Sequence, residues 1–258
     1  MTNSATSSTD LRFSGRVAIV TGAGSGIGRA TAVALAASGA RVLGVGRRKE
    51  ALQETARAHS RIAILPLDIR GDDAAQTVVA AAVERWGRLD VLVNNAGATA
   101  VMPLAETDRS VITELFELNV TAPSMLAHAA LPYLRESSGS VVNVSSTYGH
   151  RPLAGGAHYA ATKSAVEQLT RSWALEVAAD GVRVNAVAPG PTATDVLVAA
   201  GLAPEAVNSM LAYERDRIPA GRLADPGDIA EWILRVADPA VTHLTGQVIT
   251  VDGGLELV

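Results

Sequence analysis

Seven short runs of β-branched and aliphatic residues alternate with longer Ala-rich stretches, and this rhythm constrains the fold most. The runs are RVAIV (16–20), RVLGV (41–45), IAIL (62–65), LDVLV (89–93), SVVNVS (140–145), VRVNAV (182–187) and QVITV (247–251). Each is nearly continuous in apolar residues. Such a strand has both faces covered, the condition of a parallel sheet lying between helices. The segments between, among them Arg29–Ser38, Asp72–Trp86 and Ala160–Ala179, have helical character. Repeated strand–helix units with right-handed crossovers predict an α/β fold with a parallel, doubly wound sheet. A (β/α)8 barrel is the rival at this length, but it has no need of the glycine-rich turn that follows the first run.

Composition narrows the function. The chain has 258 residues, which suits one α/β domain, and it can bury about three quarters of its unfolded surface. Hydrophobic residues make up 48% and exclude disorder, while aromatics are only 3%. The apolar mass is therefore Ala, Val, Leu and Ile, which suits close packing of helices on a sheet. There is no cysteine. Disulfide frameworks, thiolate zinc sites, iron–sulfur clusters and cysteine nucleophiles are excluded. The five histidines show no metal-ligand spacing, so no metal is expected. A net charge of -4 argues against nucleic acid or an anionic membrane as partner. Met1–Asp10 is polar, lacks the apolar centre of a signal peptide, and is expected to be a disordered tail. The division expected is a tail over 1–11 and one catalytic domain over 12–258. No stretch approaches the ~18–20 apolar residues of a membrane span, and the expected compartment is the cytoplasm.

Thr21-Gly22-Ala23-Gly24-Ser25-Gly26-Ile27-Gly28 follows the first run and leads into a helix near Arg29. Glycines permit a tight turn and close approach to a pyrophosphate, and a helix N-terminus offers it free N–H groups. The usual dinucleotide fingerprint would place its third glycine where this chain has Ile27. The second run ends at Val45-Gly46-Arg47-Arg48. A carboxylate there would bind the ribose 2′-hydroxyl of NAD, whereas an Arg accommodates a 2′-phosphate. Gly46 holds the acidic position and Arg47 and Arg48 follow, so NADP is preferred, with NAD possible. A basic residue in place of Ser25 would have strengthened that preference. Asp68, after the third run, has two readings: acceptor for the adenine amino group, or N-terminal cap of the next segment.

Tyr159 and Lys163, in Tyr159-Ala160-Ala161-Thr162-Lys163, share one helix face a turn apart. Ser146 stands thirteen residues upstream, at the end of the fifth run, where parallel strands line a ligand crevice. Ser145 and Ser146 point to opposite faces, so only one can meet that crevice. Asn94-Asn95-Ala96-Gly97 follows the fourth run, Asn119 lies in a helical stretch, and Pro189-Gly190 precedes Thr192 and Thr194.

With these motifs in this order, the chain from about Arg12 to Val258 resembles the short-chain dehydrogenase/reductases. The resemblance rests on TGAGSGIG (21–28), NNAG (94–97), Asn119, Ser146, YAATK (159–163) and PGPTAT (189–194). It implies a Rossmann-type three-layer fold with a seven-stranded parallel sheet in the order 3-2-1-4-5-6-7, and a homotetramer or homodimer. It implies Asn119, Ser146, Tyr159 and Lys163 as the catalytic set. It places Gly22, Gly24, Ser25, Gly26, Ile27, Gly28, Arg47, Arg48, Asp68, Ile69, Asn95, Ala96, Gly97, Pro189, Gly190, Thr192 and Thr194 against the cofactor, with Tyr159 and Lys163. The chemistry is consistent. A phenol is a poor base at neutral pH, and a neighbouring ammonium favours the phenolate. Tyr159 then exchanges a proton with the substrate oxygen while Ser146 hydrogen-bonds it. Lys163 would also reach the nicotinamide ribose, and the backbone at Asn119 would hold a water linking Lys163 to solvent.

The expected activity interconverts a ketone and a secondary alcohol by hydride transfer, foremost as an NADPH-dependent ketoreductase acting on a small or medium free carbonyl compound. The alternatives are a 3-oxoacyl-acyl-carrier-protein reductase, an NAD-dependent alcohol or polyol dehydrogenase and, more remotely, a non-catalytic nucleotide sensor. Carrier recognition calls for basic docking residues, and Arg135 and Arg171 are the ones present near the site. The family implies a lid over about 193–217. Substrate contacts are expected from Ser146, Tyr159, Tyr148 and His150, with Thr147, His158, Met102 and Leu197 as further candidates; His150 also reads as an ordinary loop histidine, and Tyr148 as packing against the lid rather than doing chemistry.

Overall fold

Alternate side chains of the first strand enter two different cores, which sets the layering of the whole molecule. The computed structural model describes residues 11–194, 196, 201 and 203–258. The expected tail over 1–10 and the candidate Leu197 lie outside the described residues. Strand β1 spans Val17–Thr21. Its Ala18 and Val20 pack with Leu35 of α1 (Gly26–Ala37) and with Ile229 and Ile233 of α8 (Pro226–Ala237). Its Val17 and Ile19 pack with Val78 of α3 (Ala74–Trp86), Leu126 and Leu134 of α5 (Ala122–Ser137) and Val177 of α6 (Ala157–Val177). Two helix layers thus cover the sheet, as its continuous apolar strands require.

The other strands are β2 (Arg41–Gly46), β3 (Ile62–Pro66), β4 (Val91–Asn94), β5 (Ser140–Val144), β6 (Arg183–Pro189) and β7 (Val248–Val251). All pairings are parallel, and the order is β3-β2-β1-β4-β5-β6-β7. The doubly wound, seven-stranded Rossmann-type sheet is as expected. The strands fall within two residues of the apolar runs. Helix α1 begins three residues before the expected Arg29, because the glycine-rich turn winds straight into it.

Two buried charges pin the end of the sheet away from the crevice. Asp90 accepts from the Val17 amide at 2.9 Å and pairs with Arg16 and Arg88. Arg183 donates to the carbonyls of Val236, Ala237 and Asp238, closing the C-terminus of α8. A cation there meets the free carbonyls and the negative end of the helix dipole.

Helix α4 (Arg109–Phe116) does not run straight into α5. A π-helical turn over Glu117–Thr121 intervenes, with Asn119 buried within it. Helices α2 (Lys49–Arg57) and α7 (Pro204–Arg217) complete the elements that border the crevice.

Candidate active site

A cleft of about 690 Å³ opens where the strand order reverses, between β1 and β4. Chain connections leave to opposite sides there, which creates a crevice at the carboxyl ends of the strands. Thr21 ties its rim together. Its Oγ1 accepts the amides of Asn95 and Ala96 at 3.0 Å each, and Asn95 Nδ2 donates to its carbonyl at 2.8 Å. Gly22 has φ +68°, and a Cβ there would lie 2.7 Å from Asn95 Nδ2. A Cβ on Gly28 would overlap the Gly22 carbonyl oxygen. Neither position has room for a side chain.

Two residues not anticipated from the sequence hold the turn. Thr55 Oγ1 donates to Ala23 O at 2.8 Å, and Arg29 Nη2 donates to Gly24 O at 2.6 Å. Both carbonyls are thereby engaged toward α2. Ser25, the N-cap of α1, makes no side-chain capping bond, and the first turn carries no acid. The opening amides of α1 are left to an external acceptor, and the helix dipole favours an anion.

At one end of the cleft Arg48 Nη2 donates to Ser25 Oγ at 3.1 Å, and Arg47 lines the same wall. Asp68 also lies here, and its Oδ1 accepts the Arg70 amide at 3.1 Å, capping the turn that follows β3 rather than α3, which begins after Asp73. It is held by Arg70, with Nη2 to Oδ2 at 2.6 Å and Nε to Oδ1 at 3.0 Å. That hydrogen-bonded pair keeps the carboxyl below its usual range, against the opposing effect of burial. Asp68 and Ile69 line the wall, as do Ala96 and Gly97, and Pro189, Gly190, Thr192 and Thr194 border the opposite part.

At the other end stand Ser146, Tyr159 and Lys163. Strand alternation separates the two serines. Both border the cleft, but Ser145 Oγ turns to α6, donating to Glu167 Oε1 at 3.0 Å, while Ser146 Oγ accepts the Tyr148 amide at 3.2 Å. Lys163 is buried, donates to Val144 O at 2.8 Å, and lies 5.8 Å from the Tyr159 ring centroid. Burial pushes its amine down to about 8. Burial raises the Tyr159 phenol, and the hydrogen bond with Ser146 works against that rise. Among the chain's own groups, then, desolvation dominates the phenol, and the expected lowering by Lys163 is not what governs it. Asn119 Nδ2 donates to Ala98 O at 2.9 Å and to Thr162 Oγ1 at 3.0 Å, while its Oδ1 accepts the Ala98 amide at 2.9 Å. The side chain is thus fully engaged in joining α6 to the loop after β4.

The substrate side needs correction. Tyr148 lines the cleft, but His150 does not. The His150 ring lies between Glu167, at 2.9 Å from Nδ1, and Glu256, at 2.7 Å from Nε2. Its neighbours are C-terminal and buried acids, so it belongs to a structural clamp. Thr147 is fully buried and donates to Asp252 Oδ2 at 3.1 Å, and Met102 Sδ accepts the Asp108 amide at 3.2 Å. These two and His158 are not part of the cleft wall. Instead Leu153, Met210, Leu211 and Glu214 border it. Three of these lie on α7, within the expected lid. Their i, i+1, i+4 spacing was the available signal, since such positions share a helix face.

The cleft tests well against a dinucleotide. It has a turn with no space for Cβ atoms, an uncapped helix start, cations at one end and a buried amine at the other.

The fold and this arrangement define a nucleotide-dependent oxidoreductase. A family model described as enoyl-(acyl carrier protein) reductase matches residues 22–256. The cis-4-hydroxycyclohexanecarboxylate dehydrogenase of Sinomonas cyclohexanicum is 41% identical over 252 residues, covering 95% of this chain and 98% of that protein. The 3-oxoacyl-(acyl-carrier-protein) reductase of Thermotoga maritima is 36% identical over 250 residues, covering 95% and 99%. A crystal structure of a Caenorhabditis elegans short-chain dehydrogenase/reductase of unknown function, with cofactor, superposes with a TM-score of 0.90 at 33% identity, covering 96% and 97%. The chain belongs to the short-chain dehydrogenase/reductase family. It is an NAD(P)-dependent oxidoreductase that interconverts a ketone and a secondary alcohol.

Proposed function

We propose that this enzyme is an NADPH-dependent ketoreductase acting on small or medium free carbonyl compounds. One observation carries the reading. Ser146, Tyr159 and Lys163 gather at one end of a continuous cleft whose other end carries Arg47 and Arg48. NADPH, when bound, supplies the hydride. The chain supplies everything else. Ser146 Oγ–H donates to the carbonyl oxygen and polarises it. Tyr159 O–H gives its proton to that oxygen as it becomes an alkoxide, and takes it back in the reverse direction. The Lys163 ammonium stabilises the phenolate left behind, within a buried setting where charge acts strongly. Asn119 fixes the loop after β4 against α6 and so positions Lys163. The nicotinamide ribose is held by Lys163 and Tyr159, the pyrophosphate by the start of α1, and the adenosine by Asp68 and Ile69. Asn95, Ala96 and Gly97 form the wall beside the cofactor.

Arg47 and Arg48 support the phosphate preference, since Gly46 offers no carboxyl for a ribose hydroxyl and Ser25 steadies Arg48 at the cleft wall. Separate fluorescence titrations with NADPH and NADH test it, and tighter NADH would reject it. A panel of ketones and secondary alcohols, run on wild type and Tyr159→Phe, tests the reaction. Wild type is expected to turn over at least one pair, and the variant to lose about 10²–10⁴ in rate. Equal rates would refute the role of Tyr159.

The Thermotoga relative favours a second reading, reduction of a 3-oxoacyl chain on a carrier protein. Against it, Arg135 is paired with Asp180 at 2.8 Å and Arg171 lies 3.7 Å from Glu167, so both are partly occupied. The reading includes a homotetramer or homodimer in the cytoplasm. Half-buried edge strand β7 and the exposed Leu257 and Val258 support assembly, since an apolar edge wants a partner. Among the described residues no helix is long and apolar enough to cross a membrane.

A further inference from the structure

Two loops and one helix build the end of the cleft beside Ser146 and Tyr159, and they bring apolar surface to it. Val101, on the loop after β4, borders the cleft and is 51% exposed. The Met102 amide next to it donates to Gly155 O at 2.6 Å, and a Cβ on Gly155 would lie 3.7 Å from Val101 Cγ1. Leu153 also borders the cleft, and it fills the place that a Cβ on Gly156, the N-cap of α6, would take. Both side chains therefore stand at the start of the helix that carries Tyr159. From the other side, the Tyr148 hydroxyl donates to Glu214 Oε1 at 2.8 Å and fastens α7 across the cleft. Met210 and Leu211, four and three residues before Glu214, share its helix face and border the cleft too. All four apolar side chains keep part of their surface exposed.

Charge is placed elsewhere. The charged residues that line the cleft are Arg47, Arg48, Asp68, Lys163 and Glu214. The first three stand at the opposite end. Lys163 is buried and donates to Val144 O. Glu214 gives one oxygen to Tyr148, and its other oxygen is shut off from solvent. Arg151 donates to Val258 O at 2.6 Å and Arg217 stacks on Tyr213 at 5.1 Å, and neither lines the cleft. On the loop after β4, Asn95 gives its amide to Thr21 O, which leaves Thr99 as the one further polar side chain there.

We propose that this end of the cleft selects an uncharged, apolar ketone, with Val101, Leu153, Met210 and Leu211 setting the preference. This rests on the ketoreductase reading and names its substrate class. The carbonyl oxygen goes to Ser146 and Tyr159, and the carbon chain lies against the four apolar side chains. Burial of apolar surface then drives binding and scales with the carbon buried. A charged end on the substrate must instead shed its water with no partner to replace it.

The test uses unbranched methyl ketones of increasing length, and ketones of matched length that end in hydroxyl, ammonium or carboxylate, with saturating reduced cofactor. For wild type, kcat/KM is expected to rise about fourfold with each methylene, mainly through KM, until the apolar wall is covered. The hydroxyl compound should fall below the methyl compound of the same length, and the charged compounds by about tenfold or more. Val101→Ser and Leu153→Ser should each flatten the rise, with retained cofactor binding as the check that each variant is folded. Val101 is exposed, so its variant keeps the test valid if Leu153→Ser does not fold. No rise with length, any polar-ended ketone used better than its methyl counterpart, or a rise unchanged in Val101→Ser overturns the proposal. If no ketone is reduced, the ketoreductase reading fails by itself. Thermal shifts of the cofactor-bound protein with the same compounds then decide the apolar preference. Shifts that grow with chain length support it, and shifts that do not grow overturn it.

Discussion

Ser145 and Ser146 both border the cleft, but Ser145 turns its Oγ to α6, donating to Glu167 Oε1 at 3.0 Å, while the Oγ of Ser146 accepts the Tyr148 amide at 3.2 Å. The two hydroxyls are separated by a single step of strand alternation. Ser146→Ala is expected to lower kcat/KM by about 10²–10³, the usual loss of an oxyanion donor. Ser145→Ala should instead cost about 1 kcal/mol of stability, the net value of a hydrogen bond, with turnover retained. Steady-state kinetics and denaturant unfolding on the pair check both outcomes.

The Lys163 amine carries a pH limit. Burial brings it down to about 8 from an ordinary value near 10.5. Its charge, needed beside Tyr159, is lost as pH rises through about 8, so kcat/KM for ketone reduction should fall there. Stability moves the opposite way. Below about 8 the folded protein holds a desolvated ammonium, and between about 8 and 10.5 the unfolded chain binds more protons, so stability rises with pH. At neutral pH the buried charge disfavours folding by ~3 kcal/mol at most. Lys163→Met should therefore abolish activity while raising Tm, as functional charges often trade against stability. An equally active variant, or a lower Tm, would contradict this.

His150 sets a second pH dependence of opposite sign. Burial disfavours its charged form, but the bonds and charges of Glu167 and Glu256 outweigh that and raise its pKa. The stabilisation is complete below the ordinary histidine value near 6.5 and fades as pH climbs through the raised one. Tm measured from pH 6 to 9 should show a descending contribution that His150→Phe removes. A parallel pair of curves would rule the clamp out.

Arg48 offers a test of the cofactor preference. Arg48→Leu should weaken NADPH by about tenfold or more, as loss of a charged phosphate contact does, and leave NADH nearly unchanged. Calorimetric titration of both nucleotides reads the difference. An equal loss for both would move the Arg48 contact to a group the two nucleotides share, and no loss for either would return Arg48 to an ordinary surface position.

Much of the sheet was legible because a strand covered on both faces is largely apolar, as Val17–Val20 of β1 and Val42–Val45 of β2 are, while β6 keeps that pattern apart from Arg183 and Asn185. Gly22 and Gly28 were legible because their spacing follows from the turn itself. Other features depend on distant chain. Of the two readings of His150, substrate contact and ordinary loop histidine, neither named Glu256, which lies 106 residues onward and captures its ring. Nothing local encodes that pairing. Glu214 was hidden among the many charges of α7, since only the docking of that helix over the cleft buries one of its oxygens. Thr55 was silent for the same reason, since the loop carbonyl it occupies lies 32 residues away. Arg29 occupies a carbonyl only five residues back, and its local signal, a long donor just after the glycine-rich turn, is not specific.

The π-helical turn at Glu117–Thr121 has a consequence for how this chain tolerates change in length. Such a turn holds one residue more than an α-turn over a similar rise. Removing one residue here would restore a regular helix and spare the packing of α5 on the sheet. It would also rotate the amide of Asn119 away from Ala98 and Thr162. The segment is a place where a deletion the fold can absorb would still disconnect α6 from the loop after β4.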